Sequence, residues 1–299
     1  MFKNFSELNS KMIEKPRTIV VAAAHDGNTL EAIYNASGVY DFRYILVGNR
    51  EKIISTSSKL GFSPKKEDIV DGTDDNDCAV TAVDLIRNGH GDVLMKGILE
   101  TGTLLKAVLN KESGIRGSGT LSHLAMLEVP GYKKLVGITD GGMIPNPDLS
   151  LKADIVKNAA TFFNSCGYKC PKIAALCASE TISEKMQETV DASKLQTMCE
   201  NKQLGDCLLE GPVSFDIAVS RESASIKGFS SEISGDTDIL LVPNISTGNV
   251  LVKSLIYWAN ARMAGIVIGA KTPIILVSRA ASAEEKLLSI MLSIAGRYE

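Results

Sequence analysis

Short apolar runs recur along the chain, most of them continuous rather than alternating, and stretches with helical spacing separate them. The runs are Thr18–Ala24, Arg43–Val47, Asp92–Lys96, Leu135–Thr139, Lys172–Cys177, Cys207–Leu209, Asp238–Val242 and Thr272–Val277. A strand with one wet face alternates, so unbroken Val/Ile/Leu runs predict parallel strands covered on both faces. Helices are predicted between them, over Asn28–Ala36, Ala79–Asn88, Gly102–Asn110, Leu149–Asn164, Ser214–Ala224, Gly248–Arg262 and Ala283–Ala295. Strand, helix and strand in series give right-handed βαβ units on a mostly parallel sheet. The expected fold class is α/β, in two α/β domains. Gly142-Met-Ile-Pro-Asn-Pro-Asp148 breaks regular structure just ahead of a long helix and marks a boundary. A second crossing is expected near Ala270–Pro273, giving one domain of residues 1–145 plus 272–299 and another of residues 146–271.

With 299 residues, 44% of them apolar and 22% charged, the chain has enough apolar material for two globular cores. A net charge of −3 without a basic block argues against duplex nucleic acid as a partner, while leaving room for a small anionic substrate. Met1–Arg17 mixes Lys3, Glu7, Lys11, Glu14 and Lys15 with no apolar core, so no secretory leader is expected. The longest apolar run, Met263–Ala270, is far short of the ~20 residues of a membrane span, and no membrane association is expected. Six scattered cysteines without secretory marks predict reduced thiols and a cytoplasmic protein. Cys166 and Cys170 are close in sequence, but the three histidines lie far from them, and no zinc site is expected.

In open α/β sheets, ligands bind where strands end and helix N-termini present free N–H groups. Four such places carry candidate chemistry. After Leu94-Met-Lys-Gly97, a helix begins near Thr101–Thr103; Gly97 allows a tight exit and close ligand approach, either threonine can cap, and Lys106 follows about one turn later. After Asp238–Val242, Pro243-Asn244 leads into Ser246, Thr247, Gly248 and Asn249, an anion cradle by dipole and N–H geometry, with Lys253 on the face of Asn249. It is not a Walker P-loop, and a simple cap-and-loop reading competes with it. After Thr272–Val277 come Ser278 and Arg279, whose guanidinium can hold phosphate in a bidentate grip. Ser282 and Glu285 then form a capping-box pattern, which offers Glu285 a structural role as an alternative. The fourth place, Gly211-Pro-Val-Ser-Phe-Asp216, also reads as a turn. No histidine lies in a G-x-S-x-G elbow and no G-x-G-x-x-G follows a strand, which speaks against a serine hydrolase and a dinucleotide-binding enzyme.

Taken together, these blocks resemble the phosphate acetyltransferase and butyryltransferase family. The likeness runs from Ile19 to the C-terminal helix and rests on Leu94–Gly97, Leu104–Glu112, Leu121-Ser-His123, Gly211–Asp216, Asp238–Lys253 and Leu276–Arg279. Lys-Gly followed by Leu-Leu-Lys-Ala-Val-Leu resembles the butyryl branch more than the acetyl branch. The resemblance implies two α/β domains similar to the isocitrate and isopropylmalate dehydrogenase fold, an active site in an interdomain cleft, and a homodimer or larger homo-oligomer. It implies catalytic roles for Ser278, Arg279 and Glu285, the last standing where the acetyl branch has Asp. It places an acetyl-branch Arg near Lys106, and it makes Thr101, Asn244, Gly248, Asn249 and Lys253 candidates for substrate binding. Thr139-Asp-Gly-Gly-Met-Ile-Pro145 departs from the Ala-rich Asp motif usual there.

The implied reaction is direct acyl transfer between CoA and inorganic phosphate, both as substrates, with no tightly bound cofactor and no metal. Phosphate acetyltransferase activity is the near alternative, and one methylene discriminates by only ~1–3 kcal/mol. A dehydrogenase on the similar fold would need a set of metal-binding Asp residues and a nicotinamide site, which the sequence does not assemble. A silent binding protein is the remaining alternative.

Overall fold

The computed structural model describes residues 2–10, 16–117, 119–276 and 281–296. The chain forms two compact units. A terminal unit comprises Asn9–Gly119 and Ala264–Glu299, and a central unit comprises Met1–Leu8 and Thr120–Met263. The sequence placed the divisions at 145/146 and 271/272, whereas packing divides the chain at 8/9, 119/120 and 263/264.

A short helix, α1 (Phe5–Ser10), opens the chain. Phe2, Phe5 and Leu8 are buried. The Phe2 N–H donates to the Tyr168 hydroxyl (3.1 Å), and the Phe5 N–H donates to the Glu128 carboxylate (2.8 Å). These contacts bind the first residues to the central unit.

The terminal unit has strands β1 (Arg17–Ala22), β2 (Phe42–Gly48), β3 (Ile69–Asp71), β4 (Val93–Lys96), β10 (Arg262–Ile268) and β11 (Ile274–Ile275) in the spatial order β3-β2-β1-β4-β11-β10. All pair in parallel except β10 with β11. Helices α2 (Gly27–Ser37), α3 (Arg50–Lys59), α4 (Asp75–Arg87), α5 (Thr101–Val108) and α11 (Ala283–Ala295) complete it. Ile19, Val21, Leu30, Ile33, Leu46 and Ile290 anchor one face of its core. Strand exits lead into capped helices: Asp26, Asn49 and Asp74 accept the N–H of Thr29, Lys52 and Asp77.

In the central unit, β5 (Ser122–Glu128), β6 (Val136–Thr139), β7 (Lys172–Leu176), β8 (Leu208–Val213) and β9 (Ile239–Leu241) lie in the order β5-β6-β9-β7-β8. Only β5 is antiparallel to its neighbour. Its helices are α6 (Leu149–Ser165), α7 (Gln187–Glu200), α8 (Phe215–Val219), α9 (Arg221–Ile226) and α10 (Ile245–Ala259). The single helix expected over Ser214–Ala224 is two, because Ser220 breaks out of the first and its side chain caps the second at the Ser223 N–H. Among the described residues, no helix is long and apolar enough to cross a membrane.

At the N-terminal ends of β6, β7 and β9, an ion network closes the central sheet. The Lys134 amine is 1% exposed and donates to Asp238 (2.6 Å) and to the Asp236 carbonyl (2.7 Å). Lys133 (2.8 Å) and Lys172 (2.6 Å) also reach Asp236. Burial pushes the Asp236 carboxyl up, but its bonds to Lys133, Lys172 and Lys134 outweigh that and hold it well below the usual carboxylate range. Lys134→Ala would leave buried Asp238 without its cation, and urea titration should show a loss of about 3–5 kcal/mol. A depressed carboxyl stabilises above its unfolded pKa of ~3.9 and loses that contribution as pH falls further. Stability should therefore drop below about pH 4, and Asp236→Asn should flatten that drop.

Candidate functional site

In the terminal unit, Ile274 lies opposite Leu94 and Ile275 opposite Met95. The chain therefore leaves β11 beside the exit of β4, at Lys96-Gly97. Ser278 and Arg279 lie outside the described residues. Glu285 sits in the first turn of α11, where Ser282 is the N-cap and its hydroxyl oxygen accepts the Glu285 N–H at 3.0 Å. The reciprocal bond of a capping box, from the Glu285 carboxylate to the Ser282 N–H, is not formed. Among the described residues that carboxylate has no hydrogen bond or ion pair. It is half-buried, and burial raises its pKa against the opposing pull of Lys286.

At the β4 exit, a Cβ on Gly97 would stand 2.3 Å from the Ala23 carbonyl oxygen, so strand packing demands this glycine. The Lys96 amine turns back onto the carbonyls of Gly97 (2.9 Å) and Leu99 (3.0 Å), shaping the entry to α5. Neither Thr101 nor Thr103 caps that helix: the N-cap is Glu100, with no side-chain cap bond, and Thr101 is its exposed first residue. The first N–H groups of α5 therefore lack the side-chain acceptor that α2, α3 and α4 have. At Gly102 an added Cβ would meet nothing within 4 Å. Lys106 is exposed in the last turn of α5, about 7 Å along the axis from Thr101 at ~1.5 Å per residue. The helix dipole favours a cation there, which gives Lys106 a structural reason of its own.

In the central unit, β6 and β9 end side by side, with Thr139 opposite Leu241. Buried Asp140 follows and accepts three backbone N–H groups, from His123 (3.0 Å), Gly142 (2.8 Å) and Met143 (2.8 Å). The Thr139 hydroxyl donates to the His123 carbonyl (2.8 Å). The imidazole packs so closely on Gly142 that a Cβ there would lie 2.9 Å from the ring. His123 Nδ1 is buried without a partner among the described residues. Burial lowers the imidazole pKa, against the raising effect of Asp140, so His123 is neutral at pH 7.

Asn244 is the N-cap of α10; its side-chain oxygen accepts the Thr247 N–H (3.0 Å) and hydroxyl (3.1 Å). That oxygen is committed to the helix. Gly248 is buried because α10 passes tightly over the β6 exit: its Cβ would stand 2.8 Å from the Gly141 Cα. Asn249 reaches the Gly141 carbonyl at 3.5 Å, and Lys253 is exposed one turn later. A pocket of about 490 Å³ adjoins Asn244, bordered by Asp148, Lys152 and Lys194, with Lys152 paired to buried Asp191 at 2.7 Å.

The candidates divide between the units: Glu285, Thr101 and the α5 N-terminus belong to the terminal unit, and Asn244, Gly248, Asn249 and His123 to the central one. His123 and Asp140 carry contacts that sequence patterning did not assign to them. The available signals were Leu121-Ser-His123 and the Asp before two glycines.

Gly211 falls inside β8, against the Ala175 Cβ (2.7 Å), and not in a turn. Ser214 bonds to Glu180 and to Asp216. Lys227 donates to Glu180, Ser214 and Asp216 at 3.0–3.1 Å. The bonds to Glu180 and Asp216 raise the lysine's pKa, so its amine stays protonated and does not activate Ser214 as a nucleophile.

The family model described as phosphate acetyl/butaryl transferase matches residues 74–294. The chain belongs to that family. A phosphate butyryltransferase of Clostridium acetobutylicum is 39% identical over 296 residues, covering 98% of each chain. A phosphate acetyltransferase of Rhizobium meliloti is 37% identical, covering 92% of this chain and 87% of its own length. The crystal structure of a branched-chain phosphotransacylase from Enterococcus faecalis V583 superposes with a TM-score of 0.82 at 31% identity, covering 93% of this chain and 98% of that one. Membership of the phosphate acetyl/butaryl transferase family makes this protein an acyltransferase.

The close passage of α10 over Gly141 has a direct test. Gly248→Ala forces backbone against backbone, where no side chain can yield, and should cost about 1–3 kcal/mol in a urea titration.

Proposed function

We propose that the protein transfers a short acyl group, butyryl in preference to acetyl, between CoA and inorganic phosphate in the cytoplasm, as a homo-oligomer. The observation that carries the mechanism is the Glu285 carboxylate, half-buried, raised in pKa and unpartnered among the described residues. Its helix follows the strand that lies beside the β4 exit. The butyryl preference draws on the 39% relative and on the branched-chain phosphotransacylase neighbour. Six free thiols, including those of Cys199 and Cys207 at 3.8 Å, suit a reducing compartment.

In the direction of acyl phosphate, a phosphate oxygen attacks the thioester carbonyl carbon. The tetrahedral oxyanion collapses, the C–S bond breaks, and the leaving sulfur takes the proton of the Glu285 acid. In reverse, the Glu285 carboxylate takes the thiol proton as sulfur attacks the carbonyl carbon of the acyl phosphate, and the C–O bond breaks to release inorganic phosphate. A thiol of pKa ~8.5 and an ordinary Glu of ~4.3 are separated by roughly 4 units. Burial of Glu285 narrows that gap. Arg279 holds the phosphoryl group and Ser278 donates to it or to the oxyanion. Phosphate also meets the uncapped N–H groups of α5, where Gly102 leaves the backbone bare without any packing need for glycine.

Thiol release from a panel of acyl-CoAs should depend on phosphate, and phosphate-independent release would point to a thioesterase instead. Arg279→Ala should abolish turnover with the circular dichroism spectrum unchanged. Glu285→Gln should lower kcat by about 10²–10⁴. For CoA acylation, the wild-type acid limb should lie above the ordinary Glu range, because the base must be ionised, and the Gln variant should lack that limb. Gly102→Ala should stabilise the fold by about 0.5–1 kcal/mol while raising KM for phosphate.

A further inference from the structure

Three of the six cysteines gather at the start of β8. Cys199, in the last turn of α7, and Cys207, one residue ahead of β8, are 5% and 4% exposed, and their sulfurs stand 3.8 Å apart. The Cys199 thiol also donates to the Cys207 carbonyl at 3.3 Å. A disulfide bond is about 2 Å long, so the two sulfurs need to approach by less than about 2 Å. The third, Cys170, is exposed and precedes Pro171. Lys172 pairs with Leu208, and the Leu208 N–H donates to the Pro171 carbonyl at 3.0 Å. That register sets Pro171 opposite Cys207 and Cys170 one step diagonal to it. At ~4.8 Å between strands and ~3.3 Å per residue, the Cα atoms of Cys170 and Cys207 are on the order of 6 Å apart, inside the range a disulfide spans. The Asn164 amide ties the two segments together, donating to the carbonyls of Tyr168 (2.8 Å) and Asp206 (3.2 Å).

The three thiols differ in access. Burial above all, with Cys199 and Cys170 beside it, pushes the Cys207 thiol up to about 12, so it stays protonated and inert toward reagents in solution. Cys199 is hidden to the same degree. An oxidant from solution therefore meets Cys170 first and the buried pair only through it. Among the described residues no group of three or more His, Cys, Asp or Glu is placed to hold a metal ion, which leaves the cluster its thiol–disulfide chemistry.

We propose that Cys170 is a site of modification by low-molecular-weight disulfides, and that Cys207 and Cys199 draw the oxidation inward and store it as a buried disulfide. The Cys170 sulfur attacks a small disulfide, RSSR, forming a mixed disulfide and releasing one RSH. The Cys207 sulfur attacks the Cys170 sulfur and displaces the second RSH, proximity making up for its low acidity. The Cys199 sulfur then attacks the Cys207 sulfur, and Cys170 leaves as a free thiol. One RSSR is reduced to two RSH, which carry away two thiol protons, and Cys199 and Cys207 are oxidised to the disulfide. The test reads thiol chemistry and melting, and stands apart from acyl transfer.

The native protein incubated with glutathione disulfide and mapped by mass spectrometry without reductant should show the Cys199–Cys207 bond, with Cys170 free. Cys207→Ser should stop at glutathione on Cys170, and Cys199→Ser at a Cys170–Cys207 bond, both with unchanged circular dichroism. Cys170→Ser should slow closure of the buried pair by about tenfold or more. Closure ties the last turn of α7 to the start of β8 and should raise the melting temperature by about 5 °C. A wild-type chain that forms no Cys199–Cys207 bond would overturn the proposal, as would closure at the wild-type rate in Cys170→Ser. A melting temperature that does not rise on closure overturns it too, because the fold is then not shaped to take the bond.

Discussion

The pairing of β11 with β4 is the contact on which the arrangement of the terminal unit's strand ends depends. Two residues, Ile274 and Ile275, lie in register with Leu94 and Met95 and bring the last segment of the chain to the exit of an early strand. Without that pairing, the turn before α11 and the loop before α5 have no common location. With it, an uncapped helix N-terminus and the element carrying an unpartnered carboxylate both follow adjacent strand ends. Parallel strands hydrogen-bonded in register deliver their ends to one edge of the sheet, and a site can be built there from distant segments.

The central unit solves a different problem at its own strand ends. Asp140 spends its carboxylate on three backbone N–H groups, and Gly141, Gly142 and Gly248 allow α10 and the His123 ring to close over the turn. The result is a rigid floor whose polar atoms are mostly committed. His123 stands out because its Nδ1 is buried and unmatched among the described residues. The contrast between the two units is one of commitment: the caps of α6 and α10 are occupied by Asp148 and Asn244, while α5 has none.

Much of this was legible in the sequence. The eight apolar runs each contain or overlap an observed strand, because buried parallel strands leave an unmistakable unbroken signature. Three strands escaped. Ser122–Glu128 is written in Leu, Ala, Met and Glu, good helix formers that only sheet context overrides. Ile69–Asp71 is three residues at a sheet edge. Arg262–Ile268 was seen only as an apolar run and absorbed in part into a helix, which also displaced the expected domain boundary. Helix α7 was invisible because Thr189 and Asp191 lie on its buried side, Asp191 held there by Lys152, so apolar spacing is lost. At the site, residue type announced caps and strand ends but not their occupancy. Asn244 proved to be a working cap, Thr101 did not, and Glu285 lacked the reciprocal bond that its spacing from Ser282 suggested.

The insertion of β11 between β4 and β10 has a consequence for how the protein is made. Synthesis runs from the N-terminus, so β1 to β4 emerge while β10 and β11 are still unwritten. Until the last tenth or so of the polypeptide leaves the ribosome, β4 presents a bare edge of N–H and C=O groups, a template for pairing with any passing strand. The whole central segment can be completed in that interval. A nascent chain of this design is therefore exposed longest at the β4 edge, and the safest partner of that edge is the segment translated last.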